Sequence, residues 1–413
     1  MEIIKVINII FTVLFFICYA YQLVYLVIPF IIKHRRHKKE YQHKFAILIA
    51  ARNEEKVIGH LIKSIHEQTY NKSLVKIFVI ADNCTDQTAD ICRELGAIVY
   101  ERFDKTKVGK GYALDYLLEK IEGDYEPFDG YFVFDADNVL DKKYIEEMNK
   151  TFSDGYEIIT SYRNSKNYGD NWISAGYALW FLRESKYLNE ARMLLGTSCA
   201  ISGTGFMFSR KILKKHGGWK FFLLTEDIEF TVKNIIEHEK VGYSKNAILY
   251  DEQPDTFSQS WKQRMRWSKG YYQVFYQYGV KLFRGIFKGS FSCFDMLMTI
   301  LPALLMTILC IIVCLIAVIS SKFASYGLIL AIQIFWAFLR NSYLILFLVG
   351  FVTTMTEWKK IHASNFKKIL YMFTFPFFML TYIPISLTAL FKKVEWVPIE
   401  HNKVKTVAEI REQ

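Results

Sequence analysis

Residues 6–32 carry no charged side chain, and this run constrains the fold more than any other feature of the chain. A helix of that length, at ~1.5 Å per residue, measures about 40 Å, against about 30 Å for the hydrocarbon core of a bilayer. We therefore predict a tilted transmembrane helix within residues 1–33. A signal peptide fits poorly, because the run is long and no small-residue cleavage site follows it. The basic residues at 34–39 predict that this end of the helix is cytoplasmic.

Three further apolar stretches lie near the end of the chain, at about 292–320, 325–351 and 369–391. They predict a C-terminal transmembrane region at 291–395, followed by a polar tail at 396–413. Three full spans would put the lysines after the last stretch outside, against the positive-inside tendency. The number of spans therefore stays open, with a re-entrant or interfacial segment, or a helix break near Arg340, as alternatives.

The basic residues of the chain are concentrated beside these apolar segments. Residues 257–290 contain seven Lys or Arg and no Asp or Glu, and they are rich in aromatic residues. This composition is typical of helices in the lipid headgroup layer, although a solvated basic face would look similar. Together with four basic residues at 35–39, they equal the net charge of +11. We therefore predict a bilayer partner in the cell membrane and no nucleic-acid partner.

Residues 40–256 have the composition of a separate cytoplasmic domain. Short apolar runs at 45–50, 75–80, 97–100 and 131–134 alternate with helical patterns, which predicts an α/β fold with a mostly parallel sheet. Polar residues follow three of these runs: Arg52 and Glu54, then Asp82, then Asp135 and Asp137. Because ligands bind beyond the carboxyl ends of such strands, these side chains should face one crevice. Neither GxGxxG after the first run nor GxxxxGK[ST] is present, which disfavours dinucleotide and P-loop sites.

Three short motifs could carry chemistry, and each also has a structural explanation. DAD at 135–137 could hold a divalent cation on a diphosphate, or form a turn and a helix cap. TED at 225–227 could supply a carboxylate general base, or cap a helix and stabilise its dipole. QRMRW at 263–267 could bind phosphate and stack on a sugar, or belong to an interfacial helix.

Taken in order along the chain, AARNEE at 50–55, Asp82, DAD, TED and QxxRW resemble the signature of the membrane-integrated family 2 glycosyltransferases. These are the processive synthases of cellulose, other β-glucans, hyaluronan, chitin oligosaccharide and poly-N-acetylglucosamine. The resemblance is strong over about residues 45–270, and the flanking apolar segments match it in arrangement only. It implies a GT-A-like α/β domain of the nucleotide-diphospho-sugar transferase type, with a mostly parallel sheet, plus transmembrane helices.

The resemblance also implies a role for each matching residue. The residues that would bind the nucleotide sugar are Arg52, Glu54, Asp82, Lys110, Asp135, Gln263 and Arg266. Those that would contact the acceptor are Ser202, Gly203, Thr204 and Trp267. Asp137, with Asp135, would bind Mg²⁺ or Mn²⁺, and Asp227, with Glu226 beside it, would be the general base.

The implied reaction is the inverting polymerisation of a β-linked polysaccharide from UDP-glucose or UDP-N-acetylglucosamine. The partners would be the UDP-sugar donor, the growing polysaccharide acceptor and the bilayer, and accessory export subunits are compatible with this reaction. The growing polysaccharide would be extruded through the protein's own membrane segments. A non-processive transferase that moves one sugar to a polyprenyl-phosphate lipid is an alternative, and so is an inactive scaffold of an export complex. The sugar and the linkage stay open.

Overall fold

The computed structural model describes residues 13, 18–34, 37, 39–301, 312 and 327–412. Most of the first half of the predicted N-terminal span, and most of the predicted stretch at 292–320, lie outside the described residues. The second half of the N-terminal span forms helix α1, Tyr21–Ile31.

An eight-stranded sheet forms the centre of the domain, in the order β3-β2-β1-β4-β7-β6-β8-β5. Strands β1 to β4 pair in parallel, β7 runs antiparallel between β4 and β6, and β6 pairs in parallel with β8. The strands are β1 Phe45–Ala51, β2 Val75–Asp82, β3 Ile98–Arg102, β4 Gly130–Asp135, β5 Val139–Leu140, β6 Ile158–Ser165, β7 Phe206–Ser209 and β8 Val241–Asp251. The four apolar runs found in the sequence are the first four of these strands.

Two hydrophobic cores lie on opposite faces of the sheet. In β1, Phe45, Ile47 and Ile49 pack in one core, whereas Ala46 and Leu48 pack in the other. Successive side chains of a strand point to opposite faces, so a strand that is covered on both faces is apolar throughout. This explains why the strands appear in the sequence as continuous apolar runs.

Helices connect the strands and extend beyond the sheet. In the sequence between α1 and β8, the helices are α2 Ile58–His66, α3 Thr88–Glu94, α4 Lys110–Asp124, α5 Tyr144–Ser153, α6 Trp172–Arg183, α7 Glu190–Leu195, α8 Arg210–His216 and α9 Glu226–Ile236. A short 3₁₀ helix, Lys72–Leu74, precedes β2, and a π-helical segment, Glu184–Asn189, joins α6 to α7. The later helices are α10 Phe257–Phe287, α11 Phe291–Leu301, α12 Gly327–Thr356, α13 Asn365–Leu380, α14 Tyr382–Phe391 and α15 Val407–Arg411.

The segment predicted as interfacial helices forms one continuous helix, α10, of 31 residues. Large apolar side chains near its end point away from the protein: Tyr276 is 92% exposed and Phe287 is 88% exposed. Lys281 and Arg284 lie between them in the sequence. Exposed aromatic and basic side chains on one helix suit a headgroup layer, and the membrane contact of α10 stays a prediction.

Two helices among the described residues are long and apolar enough to cross a membrane, Phe335–Thr356 and Asn365–Phe391. The second consists of α13 and α14, which are separated at Thr381. Helix α12 runs without interruption through Arg340, so the helix break considered there is not present. Length and composition are the basis for a membrane position of these helices, and the side on which each one ends stays a prediction.

The segment after α14, predicted as a polar tail, packs against the domain. The Lys403 ammonium forms ion pairs with Asp170 at 2.9 Å and with Asp255 at 3.0 Å. Ile410 in α15 is fully buried, and Arg411 pairs with Asp141. The segment is therefore part of the folded domain rather than a free extension.

Candidate active site

A cavity of about 460 Å³ lies at the carboxyl ends of the parallel strands, and Arg52, Glu54, Asp82, Asp135 and Asp137 line it. The register of the sheet explains why these residues meet. In β1, Ala50 lies opposite Asp135 of β4, and Ala51 lies opposite Ala81 of β2. Each polar residue therefore ends or directly follows its strand at the same edge of the sheet, as the sequence predicted.

The two carboxylates of DAD have different surroundings. The Lys110 ammonium lies 2.5 Å from the Asp135 carboxylate and also donates to the Gly203 carbonyl at 2.9 Å. Asp137 is 2% exposed and accepts the Glu252 N–H at 2.9 Å. Burial by itself lowers the pKa of Lys110, but the carboxylates around it outweigh burial and raise that pKa. Lys110 therefore stays charged at the edge of the sheet.

Hard carboxylate oxygens of this kind suit Mg²⁺ or Mn²⁺. Among the described residues, no group of three or more His, Cys, Asp or Glu side chains is arranged to hold a metal ion. If a cation binds here, Asp137 and Asp135 would supply part of its coordination shell, and the remaining ligands would come from a bound diphosphate and water.

The TED motif opens helix α9 and brings two acids to the cavity. Asp227 accepts the Gly203 N–H at 2.6 Å, and both Glu226 and Asp227 line the cavity. Burial raises the pKa of Asp227, and burial together with the Asp227 charge raises the pKa of Glu226 to about 7. Thr225 forms no side-chain capping hydrogen bond, so its hydroxyl does not serve as the helix cap considered for this motif.

The QxxRW motif lies on α10 and has two faces. Gln263, Arg266 and Trp267 line the cavity, because positions separated by three and four residues share one side of a helix. Arg264 points the other way, is fully buried, and donates to the Phe378 carbonyl at 3.0 Å. One face of the motif therefore serves the cavity, and the other holds α13 against the domain.

The residues predicted to contact the acceptor do not all line the cavity. Ser202, Gly203 and Trp267 do, whereas Thr204 is 2% exposed and is absent from the cavity wall. The Thr204 hydroxyl accepts the Asp135 N–H at 2.8 Å and donates to Asn138 at 2.5 Å. Its position supports the DAD turn rather than direct contact with an acceptor.

Several lining residues were missed by the sequence analysis. Asp251 ends β8 and Glu252 follows it, just as Asp135 ends β4 and Asp137 lies shortly after, so the run AILYDE at 247–252 carried the same signal. Arg163 of β6 pairs with Asp251. Burial raises the pKa of Asp251 to about 6, although the Arg163 guanidinium opposes that shift.

The segment after α14 forms another wall of the cavity through Trp396 and His401. His401 Nδ1 lies 2.9 Å from Glu54 Oε1, and the Arg52 guanidinium lies 5.4 Å from the Trp396 ring centre. Burial alone would lower the pKa of His401, but the carboxylates of Asp137 and Glu54 raise it to about 10. No local pattern marked these residues, because His401 is 347 positions away from its partner.

Comparison with known proteins identifies the family. The sequence profile described as "Glycosyltransferase like family 2" matches residues 43–270. The chain is 27% identical over 278 residues to the probable glycosyltransferase YdaM of Bacillus subtilis, covering 61% of this chain and 60% of that protein. It is 26% identical over 242 residues to a beta-monoglucosyldiacylglycerol synthase of Synechocystis, covering 56% and 48%. It is 25% identical over 243 residues to a poly-beta-1,6-N-acetyl-D-glucosamine synthase of Staphylococcus epidermidis, covering 57% and 57%.

The chain therefore spans between 48% and 60% of the length of these three relatives. Among solved structures, the mannosyltransferase PcManGT of Pyrobaculum calidifontis, in complex with GDP-Man and Mn²⁺, has a TM-score of 0.59 at 13% identity. That likeness covers 93% of this chain and 99% of PcManGT, and at such low identity it shows the fold alone. The predicted GT-A-like α/β fold is confirmed. Since the family profile covers more than half of its residues, the chain belongs to the glycosyltransferase-like family 2.

Proposed function

We propose that this protein is a membrane-bound inverting hexosyltransferase that polymerises a β-linked polysaccharide from a UDP-sugar. The observation that carries the proposal is a single cavity in which the half-buried carboxylate of Asp227 lies with the DAD acids and the QxxRW side chains. Transfer of a sugar from a nucleotide diphosphate requires a base for the acceptor hydroxyl. It also requires cations to stabilise the diphosphate and hard oxygen ligands to hold a metal ion. The donor would be UDP-glucose or UDP-N-acetylglucosamine.

The nucleoside end of the donor would bind at the ends of β1 and β2. Arg52, Glu54 and Asp82 would contact the uridine there. The Arg102 guanidinium lies 2.6 Å from the Asp82 carboxylate, which fixes the orientation of this side chain. Trp396 and His401 would close the same end, since both line the cavity beside Arg52 and Glu54.

The diphosphate would bind between DAD and α10. Asp137, with Asp135, would hold Mg²⁺ or Mn²⁺, which when bound supplies positive charge to the phosphate oxygens. Arg266 would donate to the same oxygens through its guanidinium fork, with Gln263 beside it. Lys110 would add a further positive charge at this end of the cavity.

The transfer itself needs a base, because a sugar hydroxyl is too weak an acid to ionise near neutral pH. Asp227 would take the proton of the acceptor hydroxyl as that oxygen bonds to the anomeric carbon and the bond to UDP breaks. The Gly203 N–H donates to one Asp227 oxygen at 2.6 Å, and the Ile228 N–H at the start of α9 also stabilises this carboxylate. Attack opposite the leaving group inverts the anomeric carbon, so an α-linked donor gives a β-linked product.

Processive elongation would depend on Ser202, Gly203 and above all Trp267. The Trp267 ring is held by edge contacts with Tyr177 and Phe181, with ring centres 5.6 Å and 6.1 Å away. A fixed indole face can bind successive sugar rings. The enzyme would lie in the cell membrane with its catalytic domain in the cytoplasm. The product would leave through its own membrane segments, with accessory export subunits as candidate partners.

A second candidate is the transfer of one sugar to a lipid acceptor. One relative is named a beta-monoglucosyldiacylglycerol synthase, and Met298 and Met379, from two of the apolar helices, line the cavity. A polyprenyl phosphate would serve equally well as such an acceptor. The inactive-scaffold alternative is disfavoured, because the DAD and TED acids are all present and line one cavity.

Labelled UDP-glucose and UDP-N-acetylglucosamine, given separately to membranes that contain the protein, test the proposal. Label in a water-insoluble or high-molecular-weight glycan, released by a β-specific glycosidase, is the expected result. Label only in the organic extract, as one sugar per lipid, would establish the second candidate. Membranes that carry Asp227→Asn control for host enzymes. The absence of label in both fractions with either donor would overturn the assignment of a UDP-hexosyltransferase.

A further inference from the structure

The end of α6 also lines the cavity, and no predicted site residue lies there. Trp180, Arg183 and Glu184 line this part, together with Gln22 of α1 and Thr299 of α11. The end of α6 is also the start of the π-helical segment Glu184–Asn189. Wide helical turns of this type are costly in a regular helix and are frequent at functional sites.

This region directly adjoins the catalytic base. The Ser202 hydroxyl donates to Glu184 at 3.1 Å, and the next residue, Gly203, donates its N–H to Asp227 at 2.6 Å. Two consecutive residues therefore hold Glu184 and Asp227. A molecule whose hydroxyl reaches Asp227 would lie with its next portion against Glu184.

Arg183 is available to bind a ligand. Its guanidinium lies 4.8 Å from the Trp180 ring centre and donates to the Gln22 side-chain oxygen at 2.6 Å. Among the residues that the structure describes, no carboxylate lies within 4.0 Å of it. Two other arginines differ in this respect, because the half-buried Arg163 pairs with Asp251 and the buried Arg192 pairs with Asp295. A guanidinium has five donors, and the hydrogen bond to Gln22 engages one of those on Arg183 within the described part of the chain.

We propose that Trp180, Arg183 and Glu184 form a second acceptor subsite, which binds an uncharged sugar ring one position beyond the ring that receives the new sugar. This inference rests on the proposed function and extends it. The site offers an aromatic ring to the apolar face of a sugar, donors from Arg183 and acceptor oxygens from Glu184. A ring with several hydroxyls can use all three at once.

The charges favour a neutral ring over the phosphate of a lipid. A phosphate at Arg183 would also lie beside the Glu184 carboxyl group, the next residue in the chain. A hydroxyl can donate to that carboxyl and accept from the guanidinium, whereas a phosphate dianion can only accept. The Gln22 oxygen adds another acceptor that suits hydroxyls.

The experiment uses the full chain in detergent in the presence of UDP. It compares a monosaccharide acceptor with a β-linked disaccharide and a β-linked tetrasaccharide. Binding is measured by calorimetry, and transfer is measured with the donor that supports turnover. The variants are Arg183→Gln, Trp180→Ala and Glu184→Gln. The control is Arg93→Gln, an exposed arginine on α3 that pairs with Asp90 and does not line the cavity.

We expect each subsite variant to weaken tetrasaccharide binding and to raise its KM by about tenfold, the effect of a lost charge-assisted hydrogen bond in Arg183→Gln and Glu184→Gln and of a lost aromatic contact in Trp180→Ala. Monosaccharide and UDP affinity should stay within about twofold of the control. A general packing defect would affect acceptors of every length, so the dependence on length identifies a subsite.

Two results would overturn the subsite: equal effects on all acceptor lengths, or none in any variant. Competition by polyprenyl phosphate that Arg183→Gln abolishes would show an anionic headgroup site instead. If a variant also loses UDP affinity, Arg183→Lys is tested in its place. Lysine keeps the positive charge but lacks the forked donors of arginine, so this variant should weaken tetrasaccharide binding less than Arg183→Gln does. If the wild-type protein binds tetrasaccharide through Arg183 but transfers no sugar, the proposed function fails while the subsite stands.

Discussion

Asp227 is the residue on which the proposed chemistry depends most. Asp227→Asn keeps the shape of the side chain and an oxygen for the Gly203 N–H, but it removes the proton acceptor. We expect turnover to fall by about 10²–10⁴, the usual contribution of a general base, while UDP affinity stays unchanged. Steady-state kinetics and UDP calorimetry measure the two quantities. Loss of UDP binding in this variant would show that Asp227 contacts the nucleotide and that the base lies elsewhere.

The pH profile should report the same carboxylate. A carboxyl group with a raised pKa keeps its proton to higher pH, and a protonated Asp227 cannot accept one. We therefore expect kcat/KM to rise with pH through a range above that of an ordinary carboxyl group, which is about 4. Glu226→Gln should leave this rise in kcat/KM in place, because burial and the Asp227 charge raise the pKa of Glu226, so Glu226 keeps its proton while Asp227 ionises. If the rise in kcat/KM moves to lower pH in Glu226→Gln, the two acids ionise as one unit.

The cation site makes a separate residue-scale prediction. In Asp137→Asn the remaining oxygen can still accept the Glu252 N–H, so the fold should persist. We expect transfer to be abolished, and chelation of divalent cations should have the same effect on the wild-type protein. Asp90→Asn, at an exposed position on α3, serves as the control. Transfer that continues without added Mg²⁺ or Mn²⁺ would contradict the assignment.

At the scale of elements, α4 is pressed against the segment that leads to the TED motif. A Cβ atom on Gly111 would lie 2.1 Å from the Phe221 carbonyl oxygen, so no larger residue fits without movement. We expect Gly111→Ala to reduce the free energy of unfolding by about 1–3 kcal/mol and to lower activity. Gly123, in the same helix, has no atom within 4 Å of such a Cβ.

Gly123→Ala is therefore a matched control and should be neutral or stabilise the protein by up to about 1 kcal/mol, because alanine favours a helix. Thermal unfolding in detergent compares the two variants. A Gly111→Ala protein as stable and active as Gly123→Ala would show that α4 does not position the TED segment.

The elements differ in how well the sequence predicted them, for physical reasons. Strands β1, β2 and β4 are buried on both faces, and the edge strand β3 is partly buried, so their apolar runs were visible in the sequence. The same signal at Asp251 and Glu252 was overlooked. In contrast, Thr204 was assigned by its place in a motif, and only its hydrogen bonds to Asp135 and Asn138 show that it supports the DAD turn.

On the scale of the whole molecule, the cavity is assembled from parts that are distant in the sequence. The strand ends contribute Arg52 and Asp135, α10 contributes Trp267, and the segment after α14 contributes His401. No local pattern predicts a contact such as that between Glu54 and His401, because it depends on how the chain returns to the sheet. The family motifs located the cavity, but the walls formed by the later segments required the structure.

Processive elongation is the central claim, and Trp267 gives the means to test it. Trp267→Ala leaves Arg266, the proposed phosphate-binding side chain, in place but removes the aromatic ring proposed to hold the acceptor, so UDP affinity should persist while elongation stops early. Arg266→Ala should instead weaken UDP binding.

The most direct measurement is the length of products at early times with acceptor in large excess over enzyme. We predict that the wild-type protein yields long chains while most acceptor molecules remain unextended, and that Trp267→Ala yields only short products. If the wild-type protein instead adds a single sugar to each acceptor, or if Trp267→Ala makes chains of normal length, the account of a processive polymerase is contradicted.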